Sequence, residues 1–339
     1  MPRAVHAAPI SRALQAELAR PLAHDWRAKA ENRLNKRVKG STLKVLAIFG
    51  PTAVGKTGVA IAVAELLRER GEDPVAVSCD ALQVYRGLDI LTGAPTEAEQ
   101  ARLEHRLVGV IGVDEEFSAG RFSDLARGEI DGLLAADRRP IVVGGTGLYM
   151  RAALSDMELR PPVRVELREQ VEREISERGP DALHAELDPE LAGDVHVNDR
   201  KRIARLTELQ RAGFEPPPPG GGELWTAQLR RPTLLVGLVV DRDDLAQRID
   251  ARVDELVARG AADEAHAAEA AGPSRTARAA LGFEQLRSSD VEGMKRAHRA
   301  YARRQLTWMR KMPGVTLVDR TGRGDSEVAA EVVAALGRD

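Results

Sequence analysis

Little in this 339-residue sequence points to cross-linking, zinc binding or membrane insertion. Its single cysteine, Cys79, cannot form an internal disulfide, and no Cys/His cluster has the spacing of a zinc site. The longest apolar run, Leu234 to Val240, is far shorter than the ~20 residues of a membrane-spanning helix. These absences exclude a disulfide-rich secreted domain and a zinc module, and they predict a cytoplasmic protein with no membrane partner.

A predominant charge is also lacking, since 50 Lys and Arg face 52 Asp and Glu, for a formal net charge of −2. The distribution is uneven, however, because residues 1–42 carry nine basic and three acidic side chains. We expect residues 1–42 to be a disordered basic extension or to precede the true start; a presequence or a nucleic-acid-binding arm is the alternative. No apolar segment follows these charges, so we expect no secretory signal.

From residue 44 onward, apolar runs alternate with helical patterns. The runs at Val45–Phe49, Pro74–Cys79, Pro140–Val143 and Thr233–Val240 have the length of buried strands. The segment Gly58–Arg70 repeats its apolar residues at helical spacing, as does the stretch after the fourth strand, with Leu245, Ile249, Val253 and Leu256 on one face. This alternation predicts an α/β fold, a doubly wound and mainly parallel sheet with helices on both faces.

The third and fourth predicted strands are separated by about ninety residues. Within them, Pro162 to Gly213 is typical of charged helices, and a Pro then Gly run over Pro216–Gly222 indicates a loop. We therefore expect residues 43–161 to form the first part of a core, 162–228 a helical insertion domain, and 229–339 the second part of the core with a basic C-terminal helix.

The strongest motif is a complete G-x-x-x-x-G-K-T between a predicted strand and a predicted helix: Gly50, Pro51, Thr52, Ala53, Val54, Gly55, Lys56 and Thr57. Such a phosphate loop (P-loop) directs backbone N–H groups and a lysine at a di- or triphosphate, and the Thr57 hydroxyl can ligate magnesium (Mg²⁺). The motif predicts a P-loop NTPase-like, nucleotide-binding core. It is shared by ATP-binding kinases, ATPases, GTPases and transferases, so it does not identify the substrate.

Polar side chains also follow two other predicted strands. Asp80 follows the second strand, where a carboxylate can act as a general base or hold magnesium through water; a helix N-cap is the alternative. Thr146, within Gly144–Tyr149, could donate to a phosphate oxygen, although a plain strand-to-helix turn explains the same residues. The strand before Gly144 carries no terminal carboxylate, which counts against an ordinary ATPase.

Two basic segments suggest a nucleic-acid partner. Lys295 to Lys311 contains seven Lys or Arg and no acid, interleaved with Tyr301, Gln305 and Trp308. A second basic cluster lies in the helical insertion and consists of Arg200, Lys201, Arg202 and Arg205. We expect Asn198, Arg202 and Arg205 to lie on one helical face. A solvated helix face is the alternative for each segment.

Together these blocks resemble one family, the tRNA dimethylallyltransferases, also called tRNA adenosine-37 isopentenyltransferases. The resemblance runs from about Lys44 to Asp319 and rests on five blocks: Gly50–Thr57; Asp80–Ile90; Gly144–Tyr149; Asn198-Asp199 with Arg202, Arg205 and Glu208; and Tyr301–Arg310. It implies transfer of a dimethylallyl group from dimethylallyl diphosphate to N6 of adenosine 37, flipped out of the anticodon loop of tRNA.

The resemblance also implies roles for individual residues. Asp80 would take the proton from N6, while Lys56, magnesium on Thr57, and Thr146 would stabilise the leaving diphosphate. Arg168 matches a family arginine near the reaction channel, and the insertion would grip the anticodon stem of a tRNA bound to a monomer. The implied tRNA-binding residues are Asp80, Ala81, Leu82, Gln83, Thr146, Arg168, Lys201, Arg202, Ile203, Ala204, Arg205, Arg303, Arg304, Gln305, Thr307, Trp308 and Arg310.

The sequence departs from the family pattern at three places. Ala81 replaces a serine, Ala94 replaces a lysine, and Ala279 replaces a polar or basic residue. Three other functions are compatible with parts of the sequence: a kinase that uses ATP with Arg248 and Arg252 as lid arginines, a cytokinin-type transferase acting on free AMP or ADP, and a non-catalytic RNA-binding protein.

Overall fold

The computed structural model describes residues 43–157, 159, 163–193, 195–214 and 227–337. The expected basic extension and the Pro then Gly run lie outside these residues. Among the described residues, no helix is both long enough and apolar enough to span a bilayer.

The centre of the fold is a six-stranded sheet in the order β3-β2-β4-β1-β5-β6, and every pair of neighbours is parallel. Its strands are β1 (Val45–Phe49), β2 (Pro74–Ser78), β3 (His105–Arg106), β4 (Arg139–Gly144), β5 (Thr233–Val239) and β6 (Val315–Asp319). The four predicted strands are confirmed, as is the α/β class. The two edge strands were not predicted, because β3 has two residues and β6 is largely exposed and shows no continuous apolar run.

The described residues contain fifteen helices, which we number in chain order. They are α1 (Lys56–Glu69), α2 (Asp89–Thr92), α3 (Glu97–Arg102), α4 (Ala119–Ala135), α5 (Gly147–Leu154), α6 (Val165–Arg178), α7 (Pro180–Ala185), α8 (Pro189–Ala192), α9 (Arg200–Arg211), α10 (Arg242–Ala258), α11 (Ala261–Ala270), α12 (Arg275–Arg278), α13 (Phe283–Arg287), α14 (Val291–Lys311) and α15 (Asp325–Leu336).

Both faces of the sheet are covered. Leu46 and Ile48 of β1 belong to an apolar cluster that includes residues of α1 and α15. Alternate residues of a strand point to opposite faces, and Ala47 and Phe49 are also fully buried, so the other face is covered as well. This burial on both sides is why the central strands have continuous apolar sequences.

The predicted helical insertion contains helices α6 to α9, and they pack around an apolar cluster of their own. The buried members of this cluster are Val171, Ile175, Leu183, Leu187, Ala192, Ile203 and Ala204. Asp199 caps α9 by accepting from the Arg202 N–H at 3.1 Å, so Asn198 lies in the turn before the helix. The expected common face of Asn198, Arg202 and Arg205 is therefore wrong. The predicted domain boundaries stay predictions.

Side chains of α4 fasten the two chain segments that connect the insertion to the core. The Arg127 guanidinium donates to the carbonyl oxygens of the outgoing chain, at Ala152, Ser155 and Met157. Asp131, one turn further along α4, pairs with Arg230 at 3.0 Å and Arg231 at 2.9 Å on the returning chain. We call Arg127, Asp131, Arg230 and Arg231 the basal clamp.

Candidate functional site

A cavity of about 590 Å³ opens at the carboxyl edge of the sheet. Parallel strands bring their carboxyl ends to one edge, so segments far apart in sequence meet there. The cavity wall includes the phosphate loop, Asp80, Arg252, Tyr301 and Gln305. The phosphate loop, Asp80 and part of the basic segment Lys295–Lys311 thus lie in one site.

The phosphate loop connects β1 to α1 and has the backbone geometry that its glycines allow. Gly55 adopts a φ of +88°, in the left-handed region, immediately before the first residue of α1. The Lys56 ammonium donates to the carbonyl oxygens of Gly50 at 3.1 Å and Pro51 at 2.9 Å. The Thr57 hydroxyl lies in the first turn of α1 on the cavity wall.

The cavity environment changes the protonation of Lys56. Burial, followed by the nearby positive charge of Arg252, lowers the pKa of Lys56 to about 8, whereas Asp80 acts in the opposite direction. The ammonium therefore loses its proton in a range that solution experiments can reach.

Asp80 lies just beyond β2 and on the cavity wall. One carboxylate oxygen accepts from the Leu82 N–H at 3.0 Å, which closes a turn. Asp80 does not cap a helix, because the next helix begins only at Asp89. The N-cap alternative is therefore wrong, and the other carboxylate oxygen has no role in this turn.

Arg252, on α10, is a cavity residue that the sequence analysis named only as a possible kinase lid. Burial lowers the pKa of Arg252, and the nearby Asp80 carboxylate acts in the opposite direction. The Arg252 guanidinium donates to the Gly93 carbonyl at 3.4 Å. That carbonyl also accepts from the Gln83 amide at 3.1 Å. A signal existed in the sequence: Arg252 interrupts the apolar face of α10 between Ile249 and Leu256, a position normally given to a core residue.

The Gly144–Tyr149 block and helix α14 form one unit with the phosphate loop. The Gln305 side chain accepts from the Thr52 N–H at 2.8 Å and donates to the Gly145 carbonyl at 2.9 Å. A Cβ atom on Gly145 would lie 2.2 Å from the Gln305 amide, and one on Gly147 would lie 2.4 Å from the Trp308 ring. These glycines allow α14 to approach, a reason that single-sequence reasoning did not supply.

Thr146 lies beside the cavity and is linked to its wall by a hydrogen bond. The Thr146 hydroxyl pairs with the Tyr301 hydroxyl at 3.0 Å. Burial and the nearby Asp80 carboxylate raise the pKa of Tyr301 to about 12, so this phenol keeps its proton at neutral pH. Arg304 lies over the Tyr301 ring, 5.6 Å from its centroid.

The predicted tRNA-binding residues of the insertion divide into two groups. Lys201 and Arg202 are exposed. The side chains of Ile203 and Ala204 are buried in the apolar cluster of the insertion, which corrects the expectation that they contact tRNA. Packing is the role that the structure gives these two residues.

Arg168 and Arg205 share one buried acid within the insertion. Arg205 pairs with Glu208 at 2.9 Å and Arg168 lies 3.9 Å from the other Glu208 oxygen, while Glu208 is only 6% exposed. Arg168 is not part of the wall of the cavity. The structure thus places both arginines in an ion-pair network between α6 and α9.

Helix α14 presents two different faces. Its buried face holds Gln305 and packs on the site, whereas four of the predicted tRNA-binding side chains are exposed, Arg303, Arg304, Thr307 and Arg310. The exposed face is basic, with no acidic residue from Lys295 to Lys311, so it has the charge that a phosphate backbone requires.

The cavity offers few metal ligands of its own. No cluster of three or more His, Cys, Asp or Glu side chains suited to a metal ion occurs in the described part of the chain. The oxygen donors on the cavity wall include the Thr57 hydroxyl and the carboxylates of Asp80 and Asp325. This set fits magnesium, which needs only one or two protein oxygens when substrate phosphates and water supply the rest.

Family models place the chain among known proteins. The IPP transferase model matches residues 83–312, and the isopentenyl transferase model matches residues 43–110. Together the two matches include the phosphate loop, Asp80, the insertion and all of α14.

Individual relatives agree with these models. The chain is 36% identical to the tRNA dimethylallyltransferase of Acetivibrio thermocellus, and the match covers 81% of this chain and 91% of the relative. It is 39% identical to the tRNA dimethylallyltransferase of Anaeromyxobacter dehalogenans, and that match covers 81% of this chain and 95% of the relative. The crystal structure of the full-length tRNA isopentenylpyrophosphate transferase of Bacillus halodurans is similar, with 31% identity, a TM-score of 0.62, and coverage of 86% of this chain and 96% of that one. The chain therefore belongs to the IPP transferase family, the tRNA dimethylallyltransferases, and is an enzyme of the prenyltransferase class.

Proposed function

We propose that this prenyltransferase moves the dimethylallyl group of dimethylallyl diphosphate to N6 of adenosine 37 in the anticodon loop of tRNA and releases diphosphate. The observation that carries the proposal is a single cavity lined by both the phosphate loop and Asp80. Its wall combines groups that can bind a diphosphate with a carboxylate that can receive a proton. Its volume of about 590 Å³ lies within the usual range for small-ligand sites.

The diphosphate binds at the phosphate loop in this proposal. The first N–H groups of α1 have no partner within the helix and are directed toward an anion. Lys56 and Arg252, which both line the cavity, add two positive charges. When magnesium is bound, Thr57 would hold it, and the ion would neutralise part of the diphosphate charge.

Asp80 acts on the acceptor. The new bond joins N6 to the allylic carbon, the bond from that carbon to the diphosphate oxygen breaks, and the N6 proton passes to the Asp80 carboxylate. The Leu82 N–H fixes one carboxylate oxygen, so the second is held in a defined position for the proton. Leu82, Leu91 and Leu281 line the cavity and give the dimethylallyl group apolar contacts.

The acceptor base must leave its stack to reach Asp80, at a cost of a few kcal/mol. Contacts to the tRNA backbone offset this cost, and the exposed basic residues of α9 and α14 supply them: Lys201, Arg202, Arg303, Arg304 and Arg310. The monomeric state and the cytoplasmic location stay predictions.

The test is mass spectrometry of nucleosides from an anticodon stem-loop with adenosine at positions 36 to 38, after incubation with enzyme, magnesium and dimethylallyl diphosphate. AMP is the parallel acceptor. The expected result is a dimethylallyl adduct on adenosine 37 alone. An adduct on AMP alone would instead make this a cytokinin-type enzyme, and no adduct on either acceptor would contradict the proposal.

A further inference from the structure

Arg320, which follows β6, is a buried arginine at the phosphate loop and belongs to none of the sequence blocks discussed above. It is 6% exposed, and a guanidinium at such a position needs partners that offset its lost hydration. Two partners are present. One guanidinium nitrogen, Nη1, donates to the Val54 carbonyl at 2.6 Å, and the other, Nη2, donates to the Asp325 carboxylate at 3.0 Å.

The contact with Val54 sets the direction of a neighbouring amide. A trans peptide is planar, and its C=O and N–H point in opposite directions. Fixing the Val54 carbonyl on Arg320 therefore turns the Gly55 N–H away from Arg320. Gly55 lies on the cavity wall and Arg320 does not, so this direction leads toward the cavity.

Arg320 also packs directly on Gly55. A Cβ atom at Gly55 would lie 1.8 Å from Nη1 of Arg320, so the guanidinium fills the space that a side chain would need. Asp325 packs in the same way on Gly58, in the first turn of α1. A Cβ atom at Gly58 would lie 2.0 Å from the second carboxylate oxygen of Asp325. The Arg320–Asp325 pair thus supports both ends of the first turn of α1.

We propose that Arg320 is a positioning residue for the transfer reaction, which holds the Val54–Gly55 peptide so that the Gly55 N–H donates to the diphosphate. Arg320 need not touch the substrate. This role rests on the proposed function, since it requires the diphosphate at the phosphate loop. It also explains how a residue 265 positions after Gly55 in the sequence becomes part of the site.

The test measures binding of inorganic diphosphate with magnesium by calorimetry, together with the KM for dimethylallyl diphosphate and the KM for tRNA. Arg320→Met keeps the length of the side chain and removes both hydrogen bonds. We expect binding to weaken about tenfold, the order of one lost hydrogen bond to a charged group, with the KM for dimethylallyl diphosphate rising in parallel and the KM for tRNA unchanged.

The matched control is Arg323→Met, in the same loop. Arg323 pairs with Glu327 and Glu331 and donates to the Asp319 carbonyl, without contact to the phosphate loop. We expect this variant to bind diphosphate like the wild type. If Arg320→Met does not fold, Arg320→Lys decides, because a single ammonium nitrogen cannot occupy the positions of both guanidinium nitrogens and should give a smaller but measurable loss.

The outcomes separate the two claims. Wild-type affinity in Arg320→Met, or in Arg320→Lys when only that variant folds, would overturn the positioning role and leave the proposed function intact. Equal weakening in Arg320→Met and Arg323→Met would also overturn it, since the loop as a whole would then be responsible. A wild-type enzyme that binds no diphosphate would contradict the proposed function, and the role of Arg320 with it.

Discussion

The cavity at the edge of the sheet and the helical insertion are assembled in different ways. The cavity collects residues from five distant segments, near positions 55, 80, 252, 301 and 325, at one edge of the sheet. The insertion is built from one stretch, α6 to α9, around a small apolar cluster. The cavity therefore depends on the whole sheet, whereas the insertion depends mainly on local contacts.

The two regions also use charge differently. In the cavity, burial lowers the pKa of both Lys56 and Arg252, and no ion pair joins either side chain to an acid among the described residues. In the insertion, arginines are paired with acids: hydrogen bonds from Arg211 and then Gln170 lower the pKa of Glu174 to about 2. Positive charge in the cavity is thus available to a ligand, whereas much of the positive charge in the insertion is neutralised by acidic side chains of the same region.

The largest effect is expected from the cavity. Lys56→Ala removes an ammonium directed at the diphosphate, so kcat/KM for transfer should fall by about 100-fold or more, while tRNA binding stays intact. Steady-state kinetics and a filter-binding assay with tRNA check this. Lys201→Ala, in the insertion, is the matched control and should have the reverse pattern. An equal loss of transfer activity and of tRNA binding in Lys56→Ala would contradict the assignment of Lys56 to the diphosphate alone.

The pKa of Lys56 predicts a pH effect confined to the cavity. The ammonium of the free enzyme is charged below about pH 8 and neutral above it. The KM for dimethylallyl diphosphate should therefore rise above pH 8, by up to about tenfold per pH unit if the neutral form does not bind. The KM for tRNA, measured in parallel, serves as the internal control. Lys56→Arg keeps its charge and should flatten the profile; an unchanged profile would assign the pH effect to another group.

The basal clamp predicts a smaller effect on the insertion. Asp131→Asn removes the acid shared by Arg230 and Arg231 and should raise the KM for tRNA several-fold, because the insertion loses part of its fixed attachment to the core. It should also reduce the free energy of unfolding by roughly 3 kcal/mol. Diphosphate binding, measured by calorimetry, should be unchanged. A rise in the KM for both substrates would mean that the two regions are not independent.

The smallest effect is expected on α14. Arg304→Ala should weaken tRNA binding and reduce the slope of log affinity against log salt by about 0.7, the value for one contact to a single-stranded phosphate. Arg70→Ala is the control, since Arg70 follows α1 and precedes β2 and therefore lies at the opposite edge of the sheet. Identical slopes for both variants would place Arg304 outside the tRNA interface.

The features that could be predicted from the sequence are those that depend on a local pattern of residues. Buried central strands give apolar runs, and the phosphate loop requires glycines at fixed spacing, so β1, β2, β4, β5 and the motif between β1 and α1 were all visible. The exposed edge strand β6 has no such pattern. Ile203 and Ala204 were assigned to tRNA because the family resemblance implies the whole segment Lys201–Arg205, and a segment-level resemblance does not show which side chains are buried.

The contacts that Arg320 and Gln305 make with the phosphate loop could not be predicted from the sequence. Arg320 reaches the Val54 carbonyl because β6 lies next to β5, which in turn pairs with β1. Gln305 links Thr52 to Gly145 across a similar distance in sequence. Their roles depend on strand order and helix placement, which no residue spacing within a single motif encodes.

The central claim is that Asp80 takes the N6 proton in the same cavity that holds the diphosphate. The most direct measurement is the single-turnover transfer rate of Asp80→Asn at saturating stem-loop and dimethylallyl diphosphate, with both dissociation constants determined separately. Asparagine keeps an oxygen for the Leu82 N–H, so both substrates should bind normally while the rate falls about 100-fold or more. A wild-type rate, or a loss explained entirely by weaker binding, would contradict the account.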